Sequence, residues 1–195
     1  MLNGKIILFT GLVKDKNDFA GLTSSGAEII FFPTIKIVEL VLGDAEKTKI
    51  NNALNYDYLI FTSVNAVKFF FNKFEKNINE INNSSVQVIV IGDKTKTAAE
   101  TIGFKISLMP DKSSSEYLDK VLIKEKIVGK KILIPGSKIS KEKFRKSLLQ
   151  KGAIVDFVPV YNTVIEDKYS LETIEKIKNT VLDLIIFTSP STVTG

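Results

Sequence analysis

The chain repeats itself at a fixed offset, and the repeat constrains its fold more than any composition statistic. Asp57-Tyr58-Leu59-Ile60-Phe61-Thr62-Ser63 returns 126 residues later as Asp183-Leu184-Ile185-Ile186-Phe187-Thr188-Ser189. The same shift carries Lys5-Ile6-Ile7-Leu8 onto Lys131-Ile132-Leu133-Ile134, and Gly26-Ala27 through Pro33 onto Gly152-Ala153 through Pro159. Three separate segments sharing one register indicate two homologous halves. Residues 70–126 have no counterpart, because their repeat would fall beyond Gly195. On this reading the complete protein runs to roughly 250 residues, about twice the offset, a size that holds two small domains.

Short β-branched runs alternate with amphipathic stretches, the pattern of an α/β protein built on parallel sheets. Strands are expected near 5–10, 28–32, 58–62, 87–91, 105–109, 131–135, 154–158 and 184–188. Helices are expected near 15–25, 45–54, 64–76, 95–103, 115–126, 140–151 and 170–180. Val88-Ile89-Val90-Ile91 and Leu184-Ile185-Ile186-Phe187 lack polar alternation, which suits parallel strands covered on both faces in a doubly wound fold. Pro33 and Pro159 occupy equivalent places, and proline favours a break or an edge over a central strand. The segments after them, 34–39 and 159–167, read as linker strands that pair with each other between two lobes. One lobe is then continuous, 40–158, and the other discontinuous, 1–33 with 168–195.

Composition removes whole reaction classes. The chain has no cysteine and no histidine, so disulfides, thiolate nucleophiles, histidine triads and the usual zinc ligands are all excluded. What remains is chemistry by carboxylates, lysine, tyrosine, hydroxyls and oriented backbone dipoles. At 44% hydrophobic and 25% charged the chain can bury a core. No apolar run approaches the roughly 20 residues of a membrane helix, and Met1 to Thr10 lacks the features of a signal peptide, so a cytoplasmic protein is expected. The net charge of +5 favours anionic partners, although lysines interleaved with acids, as in Lys141-Glu142-Lys143, also describe an ordinary solvated helix face.

The candidate site lies at the strand ends. Thr62-Ser63-Val64-Asn65 and Thr188-Ser189-Pro190-Ser191 each follow an apolar strand and open a helical pattern. In open α/β sheets ligands bind beyond the carboxyl ends of the strands, where helix N-termini offer free N–H groups to anions. The same residue types are also the preferred helix caps. Gly92 and Thr95 in Ile91-Gly92-Asp93-Lys94-Thr95, and Gly136 and Ser137 in Pro135-Gly136-Ser137, mark two further polar strand ends, and Pro110 to Ser115 a fifth. Together they offer hydroxyl and backbone donors without a strong acid–base pair, a set better suited to holding a polyanion than to proton transfer. Tyr161, on the second linker, either presents its hydroxyl to an inter-lobe cleft or packs one lobe against the connector. Asp57 and Asp183 precede their strands and are assigned a turn role.

In their order and spacing, Phe61-Thr62-Ser63-x-Asn65-Ala66-Val67, Ile91-Gly92-x-x-Thr95, Gly103-Phe104, Gly152-Ala153, Val160-Tyr161-x-Thr163 and Phe187-Thr188-Ser189-Pro190-Ser191 resemble the uroporphyrinogen-III synthase family. The resemblance implies two interleaved flavodoxin-like α/β lobes, each a parallel sheet flanked by helices, joined by a two-stranded linker. It implies a cofactor-free, metal-free monomer of tetrapyrrole biosynthesis acting on hydroxymethylbilane, a linear tetrapyrrole with eight carboxylates. The product is cyclised with inversion of the last ring, through loss of the terminal hydroxyl as water and a spiro intermediate. By motif match it implies that Tyr161 assists hydroxyl departure. It also implies that Thr95 is the family's strand-end threonine and that Thr62, Ser63, Asn65, Thr188, Ser189 and Ser191 line the cleft. A second Ile-Gly-x-x-Thr turn of the family would fall beyond Gly195. The competing expectations are a non-catalytic two-lobed sensor of a small anion and, less well supported by the mixed charges, a nucleic-acid role. No nucleic acid and no membrane is expected as a partner.

Overall fold

The computed structural model describes residues 2–13, 16–110, 122, 127–140 and 142–188. The chain divides into two compact units, Met1–Val38 with Thr163–Gly195, and Glu39–Asn162. Both are α/β units on parallel sheets.

The Glu39–Asn162 unit is centred on four parallel strands in the order β7-β6-β4-β5, comprising β4 (Tyr58–Phe61), β5 (Gln87–Val90), β6 (Lys131–Ser137) and β7 (Ile154–Ile165). β4 is buried at every position, the outcome expected of an apolar run with helices over both faces. On one face Tyr58, Ile60, Ile89, Ile132 and Ile134 form a cluster with Leu148 and Ala153. On the other, Phe61 meets Phe70 edge-on at 5.3 Å and Phe104 at 5.4 Å. Phe70 belongs to α3 (Val64–Lys73), whose buried Ala66, Val67, Phe69 and Phe70 recur at the spacing of one helix face. Further helices are α2 (Asp44–Asn51), α4 (Ile78–Asn82), α5 (Asp93–Ile102) and α6 (Lys143–Gln150). The sequence reading missed α4, which starts with a capping box: Asn77 Oδ1 accepts from the Asn79 amide while Glu80 accepts from the Asn77 amide.

Two expectations fail here. No strand forms over 105–109; only an isolated parallel bridge joins Leu108 to Ile89. Ser107 Oγ accepts the Val88 amide at 3.1 Å, so a side chain takes a place in the ladder that a backbone carbonyl would otherwise fill. Pro159 does not break its strand either. β7 runs unbroken from Ile154 to Ile165, and the proline falls where the β6–β7 register shifts between Gly136 and Ser137, a β-bulge where a missing N–H is tolerated. On its outer side β7 neighbours β3 (Ile35–Glu39). Leu40 N–H donates to Val160 O and Glu166 N–H to Thr34 O, so these two linker strands run antiparallel.

The other unit carries β1 (Ile6–Phe9), β2 (Glu28–Phe31) and β8 (Leu184–Ile186) in the parallel order β2-β1-β8, with α1 (Ala20–Ser24) and α7 (Leu171–Lys178). Phe9, Phe19 and Phe31 pack edge to face, the closest pair being Phe9 and Phe19 at 4.6 Å. β8 does not meet the expectation of a strand covered on both faces. Leu184 and Ile185 are 50% and 44% exposed, with β1 as the only strand neighbour among the described residues.

The repeat is visible in three dimensions, since β2-β1-β8 has the connectivity of β7-β6-β4. Its register needs one correction. Asp183 N–H donates to Ile6 O where Asp57 N–H donates to Lys131 O, so Ile6 matches Lys131 and Lys5 matches Lys130, an offset of 125. The second half has one extra residue between Gly129 and Gly152 compared with Gly4 and Gly26, whose amide-to-carbonyl bonds, Gly4 to Gly26 and Gly129 to Gly152, are equivalent. Adjacent Lys130 and Lys131 and a featureless apolar run hid the slip.

That register exposes the role of the two aspartates, which is more than a turn. Asp57 accepts from Lys130 Nζ at 2.7 Å and from the Lys131 amide at 2.8 Å. Asp183 accepts from Lys5 Nζ at 2.6 Å and from the Ile6 amide at 2.8 Å. Each carboxylate thus clamps the start of the neighbouring strand. Both carboxyls are held below their ordinary value, first by the lysine hydrogen bond and then by the backbone amide. A depressed folded-state value means the clamp contributes fully at neutral pH and fades as pH falls through that value. Asp57→Asn is therefore expected to lower stability at pH 7 by about 1 kcal/mol, allowing for solvent screening. In urea titrations the difference from wild type should shrink as pH falls below the ordinary carboxylate value of about 4 and on through the lower folded-state value.

Candidate functional site

Parallel strands bring their carboxyl ends to one edge of the sheet, and in the Glu39–Asn162 unit that edge gathers the residues after β4, β5 and β6 beside Tyr161 of β7. Ser63 follows β4 in extended conformation and caps α3, its Oγ accepting the Ala66 amide at 3.1 Å. The Tyr161 hydroxyl stands 3.0 Å from the same Oγ. The Tyr161 ring stacks on Phe69 of α3, with centroids 5.7 Å apart and 28° between planes. Its carbonyl accepts the Lys138 amide at 2.8 Å. At 8% exposure, Tyr161 is a held side chain rather than a free one.

The bulge aims it. Gly136 pairs with Pro159, but Ser137 pairs with Tyr161, leaving Val160 as the extra residue. Side chains alternate along a strand, so without the bulge Val160 would stand opposite Ser137 and Tyr161 would point to the other face. Gly136 sits in a tight space: a Cβ there would lie 2.8 Å from the Phe157 ring, whose face is covered by Arg145 at 3.9 Å, so the ring would have to shift.

Gly92 follows β5 with φ +85 and caps α5, its carbonyl accepting the Thr95 and Lys96 amides at 3.0 Å. Thr95 is buried at 5% and Ser137 at 8%, while Thr62 is exposed and Asn65 half-buried. Lys94 and Lys138 add exposed ammonium groups at the same strand ends. The N-termini of α3 and α5 contribute partial positive charge beside them. The edge therefore offers hydroxyls, amides and cations to a polyanion.

Of the sequence-derived candidates, the structure brings Ser63 and Tyr161 into direct contact and sets Asn65, Gly92, Thr95, Gly136 and Ser137 on the same strand-end edge. Thr188 belongs to the other unit, where it is exposed after β8. Ser189, Ser191 and most of Pro110 to Ser115 lie outside the described residues. The sequence reading missed Thr10 and Gly11. Thr10, buried at 3%, donates both its amide (3.1 Å) and its hydroxyl (3.0 Å) to Ile186 O. A Cβ on Gly11 would fall 2.5 Å from Thr188 Oγ1. The corrected 125-residue offset would have found Gly11 as the counterpart of Gly136.

A strongly perturbed ionisable group lies elsewhere and is structural. Burial first, and then its hydrogen bond to Asp156 at 2.9 Å, push the Tyr56 hydroxyl well above its ordinary value. Among the described residues no group of carboxylates is arranged to hold a metal ion, and no helix is long and apolar enough to cross a membrane.

Parallel sheets flanked by helices, with polar residues at the strand ends, define a protein of the α/β class. The sequence model of one family, Uroporphyrinogen-III synthase HemD, matches residues 18–195, and the chain belongs to that family. It is 28% identical over 201 residues to a uroporphyrinogen-III synthase of Synechococcus elongatus, covering 98% of this chain and 73% of that relative. Its fold is similar to a variant of uroporphyrinogen III synthase from Thermus thermophilus, with a TM-score of 0.70 at 12% identity over 98% of this chain and 75% of the other. It is likewise similar to the uroporphyrinogen-III synthetase of Helicobacter pylori, with a TM-score of 0.65 at 16% identity over 97% and 76%.

Gly136→Ala tests the packing that supports the strand end. The added methyl forces Phe157 off Arg145 or bends β6, and is expected to destabilise the protein by about 1–3 kcal/mol. Paired urea melts of the variant and wild type measure it; a loss below 0.3 kcal/mol, about the error of such melts, would show that the ring yields freely.

Proposed function

We propose that this chain is a uroporphyrinogen-III synthase, a cyclising lyase that closes hydroxymethylbilane with inversion of its last ring and loss of water, acting as a cytoplasmic monomer without a cofactor. Family membership over residues 18–195 is the observation that carries the reading. The chemistry of the strand-end edge agrees with it. A substrate bearing eight carboxylates needs many donors spread over a surface, and hydroxyls, amides and two helix N-termini supply them without histidine or cysteine.

In this reading Thr62, Asn65, Gly92, Thr95, Gly136 and Ser137 hold substrate carboxylates. Their work is positional: the substrate is reactive unaided, and fixing one folded geometry selects the inverted closure. Tyr161 is the proton donor to the departing hydroxyl. The C–O bond breaks with its electron pair on oxygen, Tyr161 protonates that oxygen, and water leaves. Pyrrole electrons form the new double bond to carbon, and the phenolate recovers a proton from the pyrrole N–H.

The test is incubation of the purified protein with hydroxymethylbilane and chromatographic separation of the product isomers. Wild type is expected to form the inverted isomer, and exclusive formation of the uninverted one would overturn the assignment. Tyr161→Phe should lower kcat by about 10–100-fold, the lower range for removal of a general acid, with a smaller change in KM.

A further inference from the structure

Ser63 and Tyr161 share a hydrogen bond that either hydroxyl can donate, and the two arrangements leave different protons free. Ser63 Oγ accepts the Ala66 amide at 3.1 Å and lies 3.0 Å from the Tyr161 oxygen. A hydroxyl has one proton and two lone pairs. If Tyr161 donates to Ser63, the Oγ accepts two donors and the serine proton is the one left over, because among the described residues Ser63 Oγ makes no other hydrogen bond. If Ser63 donates to Tyr161, the run is amide to serine to tyrosine, and the tyrosine proton is the one left to turn outward, the arrangement competent to protonate a departing hydroxyl. Such a chain strengthens itself, since each donor polarises the next. It also starts at the N-terminus of a ten-residue helix, whose partial positive charge favours negative charge on the phenol oxygen.

We infer that Ser63 is a positioning residue for Tyr161 and not a contact for substrate carboxylates: it directs the tyrosine proton toward the departing hydroxyl and steadies the phenolate left when that proton is transferred. The inference rests on the synthase reading above and adds to it a residue whose hydroxyl is already engaged on both sides. Phe69 supplies the other half of the constraint by fixing the plane of the ring. Proton balance is that of the dehydration step. One proton passes from Tyr161 to the leaving oxygen and one returns from the pyrrole nitrogen, while Ser63 keeps its own.

A double-mutant cycle separates this role from a structural one. Ser63→Ala is expected to lower kcat about tenfold or more with KM within about twofold in the wild-type background. In a Tyr161→Phe background, the same change should alter kcat by less than about twofold, because there is no proton left to direct. Ser63→Thr, which keeps both the cap and the donor, should restore near wild-type kcat. Ser63→Gly serves if the alanine variant folds poorly, since glycine is tolerated at helix N-caps. Equal fold-losses in both backgrounds, or a KM rise that accounts for the whole effect, would overturn the inference while leaving the synthase assignment intact. A wild-type protein that yields only the uninverted isomer would overturn the assignment and the inference with it.

Discussion

Parallel strands made wholly of apolar residues have a weakness: nothing in Tyr58-Leu59-Ile60-Phe61 or Ile132-Leu133-Ile134 distinguishes one register from the next. A slip of one residue would reverse every side chain between the two faces. The aspartates ahead of β4 and β8 remove that freedom. Asp57 reaches both the Lys130 ammonium and the Lys131 amide in only one alignment of β4 against β6, and Asp183 does the same for β8 against β1. Because the two clamps are equivalent in the two halves, they are also the clearest trace of the duplication, clearer than the strands they align.

Everything at the opposite end of the sheet inherits that register. With β6 fixed at its start, Gly136 and Ser137 end it at a defined height, and the bulge in β7 then brings Tyr161 rather than Val160 opposite Ser137. With β4 fixed, Ser63 ends it where its hydroxyl can cap α3 and meet Tyr161 together. Two charged contacts at the amino edge thus set the geometry of a hydrogen-bonded pair at the carboxyl edge. A packed core transmits such placement because its elements shift as bodies and do not deform continuously.

The order of strands and helices was legible from the sequence because each signal is local. Ser63, Ser170 and Gly92 mark helix starts, and the apolar runs at 58–61 and 87–90 read directly as buried parallel strands. The misreadings share a cause, since each depended on a partner distant in the chain. Residues 105–109 have strand composition, but Ser107 diverts a ladder bond of Val88 to its side chain. Pro159 carries a breaking signal that is harmless at a bulge, and the bulge exists only through pairing with Gly136 and Ser137. The identity of the polar strand ends was readable for the same local reason, whereas Thr10 and Gly11 were hidden behind the one-residue slip between the halves.

By itself the sequence determined the chemistry on offer: a duplicated α/β chain without histidine or cysteine, with hydroxyls and glycines at strand ends and a single tyrosine on the second linker strand. Residue types and periodicity carry that information because they act through bonds a few residues long. Tertiary structure alone decided which of those groups meet. Ser63 and Tyr161 lie 98 residues apart in the chain and 3.0 Å apart in space. Their meeting depends on strand register, a bulge and a helix cap acting together, and no local pattern encodes a relation among three elements.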